Sequence, residues 1–163
     1  MKCLECGAQM ETQVENYAYK ECGLSNITLS NVKVSRCPGC GEQELHISKL
    51  GQLHRELAKA LAQKEARLSP SEIRFLRKYL GWSGADFAQQ FNVTPQTISR
   101  WENGHQTMGA VAEKLLRMCA LHLQPIDDYS KGQLQDLSVL EPKEVRFHLE
   151  VVDDQWQAQA RQI

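Results

Sequence analysis

Two pairs of cysteines, Cys3-Leu4-Glu5-Cys6 and Cys37-Pro38-Gly39-Cys40, are the residues best suited to chemistry in this chain, with 30 residues (7 to 36) between them. A C-x-x-C turn delivers two thiolates from one tight loop. Two such knuckles complete the closed tetrahedral shell of a structural zinc, one ion per chain, bound by Cys3, Cys6, Cys37 and Cys40. Gly7 and Gly41 follow the knuckles at once, where backbone N–H groups must bend back toward sulfur. The separation exceeds the usual 15–20 residues of such sites, and the insert can be a strand pair. A dithiol redox pair is the competing chemistry, and two knuckles without a βαβ context disfavour it. A four-cysteine shell leaves no vacant position for a catalytic metal.

A second constellation lies between Gly81 and Gly104. Gln96 and Arg100 stand four apart, opposite Ile98 and Trp101. A Gln/Arg pair on the outer side of a helix suits bidentate readout of adenine and guanine edges. Thr94, Thr97, Ser99 and His105 lie close enough to meet the sugar-phosphate backbone. For an isolated helix these would be merely a solvated face; the preceding helix and turn favour double-stranded DNA as the partner.

The elements that must hold these groups are marked by their ends. Ser83 with Asp86 reads as a capping box, and Asn92 sits where the turn between two helices needs positive φ. Ala88 is small where two crossing helices approach. Thr94-Pro95 gives an N-cap followed by proline at the first helical position, and Asn103-Gly104 ends that helix. Ser69-Pro70-Ser71-Glu72 is a second capping box, opening a helix over Pro70–Leu80 that buries Ile73, Leu76 and Leu80. A further helix is expected from near Thr107 to about Leu123, stopped by Pro125, with Cys119 on an apolar face beside Val111, Leu115 and Leu123. From Ile47 to Arg67, the recurrence Ile47, Leu50, Leu53, Leu57, Leu61 predicts a connecting helix with one apolar stripe. That stripe fits either its own domain or a short seam with a second chain.

Strand pairs are expected at both ends. Val14–Tyr19 and Ile27–Val34 alternate, the latter as Ile27, Leu29 and then Val32, Val34. Val145, Phe147, Leu149 and Val151 alternate again, Asp153-Asp154 can turn the chain, and Trp156 anchors a returning strand. The expected fold is mainly α with a small zinc-bound β module: a zinc-binding module at 1–46, a helical connector at 47–68, a helix-turn-helix domain at 69–124, and an acidic extension at 125–163 carrying a β-hairpin. A 40-residue zinc unit has too little core to fold alone, so the metal would supply most of its stability, roughly 10–16 kcal/mol.

The net charge of −1 hides an asymmetry. Residues 69–124 carry six Lys/Arg against four Asp/Glu, a local +2, whereas 125–163 carry four against eight, a local −4. DNA binding then rests on a local basic face, and one module is weakly attracted alone, which predicts a homodimer on a palindromic operator. No apolar run reaches membrane-spanning length and the N-terminus lacks the apolar core of a signal peptide. The cytoplasm is expected, with cysteines as thiols or metal ligands. Cys22, in Glu-Cys-Gly, fits a reactive thiol or a semi-buried turn residue, and the turn reading is favoured. No enzyme is expected: there is no glycine-rich phosphate loop, and His46, His54, His105, His122 and His148 are scattered.

The segment from about Ser69 to Leu123 resembles the phage-repressor type of helix-turn-helix, through F-A-x-x-F-x-V and the ending ISRWENG. Gly84 stands where that family usually has a DNA-contacting glutamine, so specificity rests on Gln96, Thr97, Ser99 and Arg100. Over about residues 1–123, the order of modules resembles the MqsA-type antitoxins with their YgiT-type zinc finger. Met1-Lys2-Cys3-x-x-Cys6, ECGLSNITL before Cys37-x-x-Cys40-Gly41-Glu42, and TPQTISRWENG carry that likeness. It implies a homodimeric repressor of its own operon whose zinc module helps bind a small ribonuclease toxin. Two other classes fit the same modules: a stand-alone transcriptional regulator, and an adaptor, since a zinc ribbon joined to this helix-turn-helix also resembles multiprotein bridging factors.

Overall fold

The computed structural model describes residues 1–121 and 142–161. The expected helix end at Leu123 and Pro125, and residues 125–141 of the extension, lie outside the described residues. Three strands come first: β1 (Glu11–Ala18), β2 (Ile27–Arg36) and β3 (Gln43–His46). Five helices follow: α1 (Leu50–Gln63), α2 (Pro70–Tyr79), α3 (Gly84–Gln90), α4 (Pro95–Glu102) and α5 (Ala110–Leu121). The hairpin β4 (Arg146–Val152) and β5 (Gln155–Arg161) completes the described chain.

The expectation of a mainly α protein is overturned. The described residues are 36% helical and 28% strand, and the strands form one mixed sheet in the order β1-β2-β4-β5, with β3 also on β2. Two features account for the difference. Strand β3 is a short polar segment, Gln43-Glu44-Leu45-His46, which pairs with Lys33–Arg36 and has little hydrophobic alternation of its own. The C-terminal hairpin joins the N-terminal strands, with Ile27, Thr28 and Leu29 lying parallel to Phe147, His148 and Leu149. A parallel pairing between the two ends of a chain leaves no local mark in sequence.

The phase change along β2 has a local cause. Ile27 and Leu29 are buried, then Val32 and Val34, and Asn31 between them has φ 57°. The β1–β2 register shifts at the same place, between Glu15 and Tyr17, so a bulge resets which residues face the core. The β4–β5 turn is formed by Asp153 and Asp154, at φ 50° and 61°. Two consecutive left-handed residues are what a two-residue hairpin of this twist requires.

Helix α1 lies between the sheet and the other helices. Leu53, Leu57 and Leu61 are fully buried, and α1 packs on α2, α5 and β5. From Leu53 onward its stripe is covered by its own chain, whereas Ile47 is half-buried and Leu50 exposed. One apolar core runs from Tyr19, Ile27 and Leu29 through α1 to Phe87, Ile98, Trp101 and Leu116. The β strands thus share a core with the helices, so the first 46 residues are not a free-standing unit that would need a metal for most of its stability. A separate small cluster of Cys3, Met10 and Cys37, with Ala8 against it, lies around the knuckles.

Between α1 and α2 the chain bends at Glu65 and Ala66 and is gripped by buried charge. Arg117 of α5, fully buried, donates to the carbonyls of Ala62, Lys64 and Ala66 at 3.0, 2.6 and 2.6 Å. Glu113 accepts from Arg117, from Arg67 and from the Leu68 N–H. Lys64 Nζ lies 2.6 Å from Glu72 Oε2, both side chains buried.

The outer side of α5 is unlike the expectation. Val111 is 81% exposed, Leu115 42% and Met118 53%, while Cys119 is half-buried. The buried side instead carries Glu113, Leu116, Arg117 and Ala120. The ion pairs with the α1–α2 connector turn that side inward, leaving the apolar stripe outside.

Candidate metal centre and nucleic-acid interface

The two knuckles have matching backbones. In the first, the Gly7 N–H donates to Cys3 O at 2.9 Å and the Cys3 N–H to Ala8 O at 2.8 Å. In the second, the Gly41 N–H donates to Cys37 O at 3.0 Å and the Cys37 N–H to Glu42 O at 2.8 Å. Gly7 and Gly41 have φ of 72° and 78°, the left-handed conformation that glycine adopts without a side-chain penalty. Each turn presents one buried cysteine, Cys3 or Cys37, and one exposed one, Cys6 or Cys40.

The four Sγ atoms lie within 4.8 Å of one another and could hold a metal ion. Cys3 and Cys40 are 3.5 Å apart, Cys6 and Cys37 3.3 Å. A tetrahedron with metal–sulfur bonds of about 2.3 Å has edges of roughly 3.8 Å, so the cage has the right size with small adjustment. The Cys40 backbone N–H, helped by neighbouring donors, lowers the Cys37 thiol to about 6. Cys40 receives a hydrogen bond from the Glu42 backbone, yet the thiols of Cys3, Cys37 and Cys6 push it up to about 12. Four thiolates at this separation repel one another, and a divalent cation is the counter-charge that would let all four ionise.

Helices α2 to α4 form the second site. Both expected capping boxes are present: Ser69 with Glu72, and Ser83 with Asp86. Asn92 turns the chain at φ 51°, and Ala88 is buried at the α3–α4 crossing. Helix α4 is seated by Ile98 and Trp101, with Phe87 stacked edge-on to Phe91 at 4.5 Å beneath it. Gln96 and Arg100 are exposed on its other side, and neither makes a side-chain hydrogen bond to another described residue. His105 is also exposed, its N–H donating to Arg100 O at 2.9 Å.

The remaining expected contacts are partly occupied within the helix itself. Thr94 Oγ1 accepts from the Thr97 N–H at 3.2 Å and lies 3.0 Å from Thr97 Oγ1. Ser99 Oγ accepts from Asn103 Nδ2 at 3.2 Å. These three side chains therefore shape the ends of α4, leaving Gln96, Arg100 and His105 projecting outward.

A family model for the antitoxin component of a bacterial toxin-antitoxin system, MqsA, matches residues 1–128. The chain belongs to the MqsA antitoxin family. The match covers both the cysteine cage and the five described helices, and ends before the hairpin β4–β5. A search of curated proteins returned no match.

Within this antitoxin-family frame, the residues that sequence reasoning missed are those bracing α4. Glu102, buried at the end of α4, accepts from Arg74 and Arg77 of α2. Arg74 Nη2 also donates to Glu102 O at 3.1 Å and to Asn103 Oδ1 at 2.8 Å. Arg77 Nη1 donates to Trp82 O at 2.8 Å. The signal was legible: Glu102 falls four residues after the core residue Ile98, so a carboxylate had to face inward and find a cation.

Proposed function

We propose that this antitoxin-family chain is a sequence-specific DNA-binding repressor of its own operon, acting as a homodimer, with one structural zinc in the four-cysteine cage. The observation that carries the reading is α4. Its inner side is fixed by Ile98, Trp101 and Glu102, while Gln96 and Arg100 project unpartnered among the described residues. A rigid helix with a free Gln/Arg pair four residues apart suits insertion in a major groove. Gln96 and Arg100 are the base-reading side chains in this reading, with Thr94, Thr97, Ser99 and His105 meeting phosphates. Cys3, Cys6, Cys37 and Cys40 bind zinc, which pins the two knuckles together and takes no part in a reaction.

The exposed stripe Val111, Leu115, Met118 on α5 supports the dimer, since a second copy of the same stripe would cover it in a two-fold contact. The toxin partner follows from the family, and the proposed partner is the small ribonuclease of the same operon. Enzymatic activity forms no part of this role.

Footprinting on the DNA upstream of the gene tests the reading. Protection of two half-sites about 10 bp apart, or a multiple of that, is expected. Leu115→Glu should give a monomer that loses the two-fold footprint. A monomeric parent protecting one asymmetric site at full affinity would refute it. Co-purification with the product of the neighbouring reading frame separates the antitoxin from a stand-alone regulator using the same DNA surface.

A further inference from the structure

The two edges of the sheet are built differently. Strand β1 carries Glu11 and Glu15 and is bent by the register shift before Tyr17, features that keep other strands from adding to an edge. Strand β5 has neither. Its seven residues pair with β4 without a break, and from Gln155 to Ala160 it holds no charge and no proline. Gln155, Gln157, Gln159 and Ala160 are exposed, and Ala158 is half-buried. Trp156 pins the strand from the core side, buried, with Nε1 donating to Ser48 O at 2.9 Å.

The hairpin fixes which backbone groups of β5 face outward. In a two-residue hairpin the residues flanking the loop, here Val152 and Gln155, exchange both hydrogen bonds, and the pattern alternates from there. Gln155, Gln157 and Gln159 are thereby bonded to β4. The N–H and C=O groups of Trp156, Ala158 and Ala160 point away from it. The same phase is seen across β4, where Phe147, opposite Ala160, sends its N–H to Asn26 O at 3.1 Å instead of to β5. Among the described residues no backbone bond reaches the outward groups of β5.

We propose that β5 is a self-pairing edge, to which β5 of a second copy adds antiparallel about a two-fold axis at Ala158. That register sets Ala158 opposite Ala158 and Trp156 opposite Ala160. Every outward-pointing residue then meets another, and each pair exchanges two hydrogen bonds. On the core side the seam is lined by Ala158 and Ala160, small enough for the copies to close beside Trp156. On the outer side Gln157 stands opposite Gln159 of the second copy. Gln159 Nε2 is 3.2 Å from Glu150 Oε1, which leaves the Gln159 Oε1 to accept from that Gln157. A two-fold contact makes residues near its axis face their own kind, so a charged strip would repel itself and an uncharged one fits. A charged peptide would find no counter-charge along Gln155–Ala160. The inference rests on neither DNA nor zinc binding, and it uses residues other than the α5 stripe.

The full chain carrying Leu115→Glu tests it, because that change removes the α5 stripe from self-association. Sedimentation from about 1 µM to about 1 mM chain should show monomers passing to dimers and no further, since a two-fold contact closes at two copies. Amide exchange should protect Gln157 and Gln159 at every concentration, and Trp156, Ala158 and Ala160 only where dimers form. Gln157→Lys with Gln159→Lys sets lysines opposite each other across the seam and should weaken the dimer roughly tenfold. Mixing that variant with the chain carrying Gln157→Glu and Gln159→Glu should restore pairing between the two. The exchange pattern needs no change in β5, so it decides the matter even where a lysine variant fails to fold. Growth beyond dimers would overturn the proposal, since it means head-to-tail addition such as β5 on β1. A monomer at every concentration would overturn it too, as would Trp156, Ala158 and Ala160 amides whose exchange ignores concentration.

Discussion

Arg77 Nη2 lies 3.1 Å from Glu102 Oε2, joining the last turn of α2 to the last residue of α4. The Glu102 side chain is 8% exposed and that of Arg77 14%, so the pair is largely shielded from water. Arg77→Met should destabilise the protein toward the lower end of roughly 3–5 kcal/mol, because Arg74 still faces the orphaned carboxylate. Urea denaturation measures it. DNA affinity should fall more for Arg77→Met than for a surface change such as Lys78→Met, since the brace positions α4.

The cage can be separated from the rest of the fold. Cys3 and Cys37 cluster with Met10 apart from the main core, so metal removal should loosen the knuckles and leave the helices intact. Elemental analysis is expected to find about one zinc per chain. Chelation or Cys37→Ser should speed amide exchange in residues 1–10 and 37–42, while the fluorescence of Trp82, Trp101 and Trp156 stays native. A metal-free protein with fully protected knuckles would contradict this.

Arg100 and Trp101 are neighbours on opposite sides of α4, one exposed and one buried. Arg100→Ala should cost roughly 1–3 kcal/mol on the specific site and relax preference at a guanine, with little effect on random DNA. Trp101→Ala should instead cost about 3–5 kcal/mol of stability, and binding should fail only through unfolding. Thermal melting and operator titration of both variants make the comparison. If Arg100→Ala binds its operator as tightly as the parent, α4 has been given the wrong role.

His54 sets a pH response. Its Nε2 lies 2.9 Å from Tyr19 Oη, and burial lowers its pKa from the usual 6.5. Burial, with Cys22 and Glu21 nearby, raises Tyr19 to about 12, so the phenol stays protonated and can donate to a neutral imidazole. A depressed folded-state pKa means this stability is complete above 6.5 and is lost as pH falls toward the folded value. His54→Gln keeps a hydrogen-bonding group and removes the titration. Its melting temperature should therefore fall less than the parent's between pH 7.5 and 5, with acid release of the metal common to both.

Features made within a few residues were legible in the sequence. The two capping boxes, the Thr94-Pro95 start, the left-handed turn at Asn92, the turn at Asp153-Asp154, and the glycines after each knuckle all depend on φ, ψ and hydrogen bonds between near neighbours. The convergence of the four cysteines was legible too, because paired knuckles are recognised by spacing alone. What the tertiary structure decided was partnership at long range. The pairing of β4 beside β2 rests on three residue pairs from opposite ends of the chain. The direction α5 faces was decided by Glu113 and Arg117, whose partners lie on a connector far earlier in sequence, so Val111 and Leu115 point outward despite their apolar spacing. Periodicity shows that a helix has two unlike faces; only the other elements determine which one is covered.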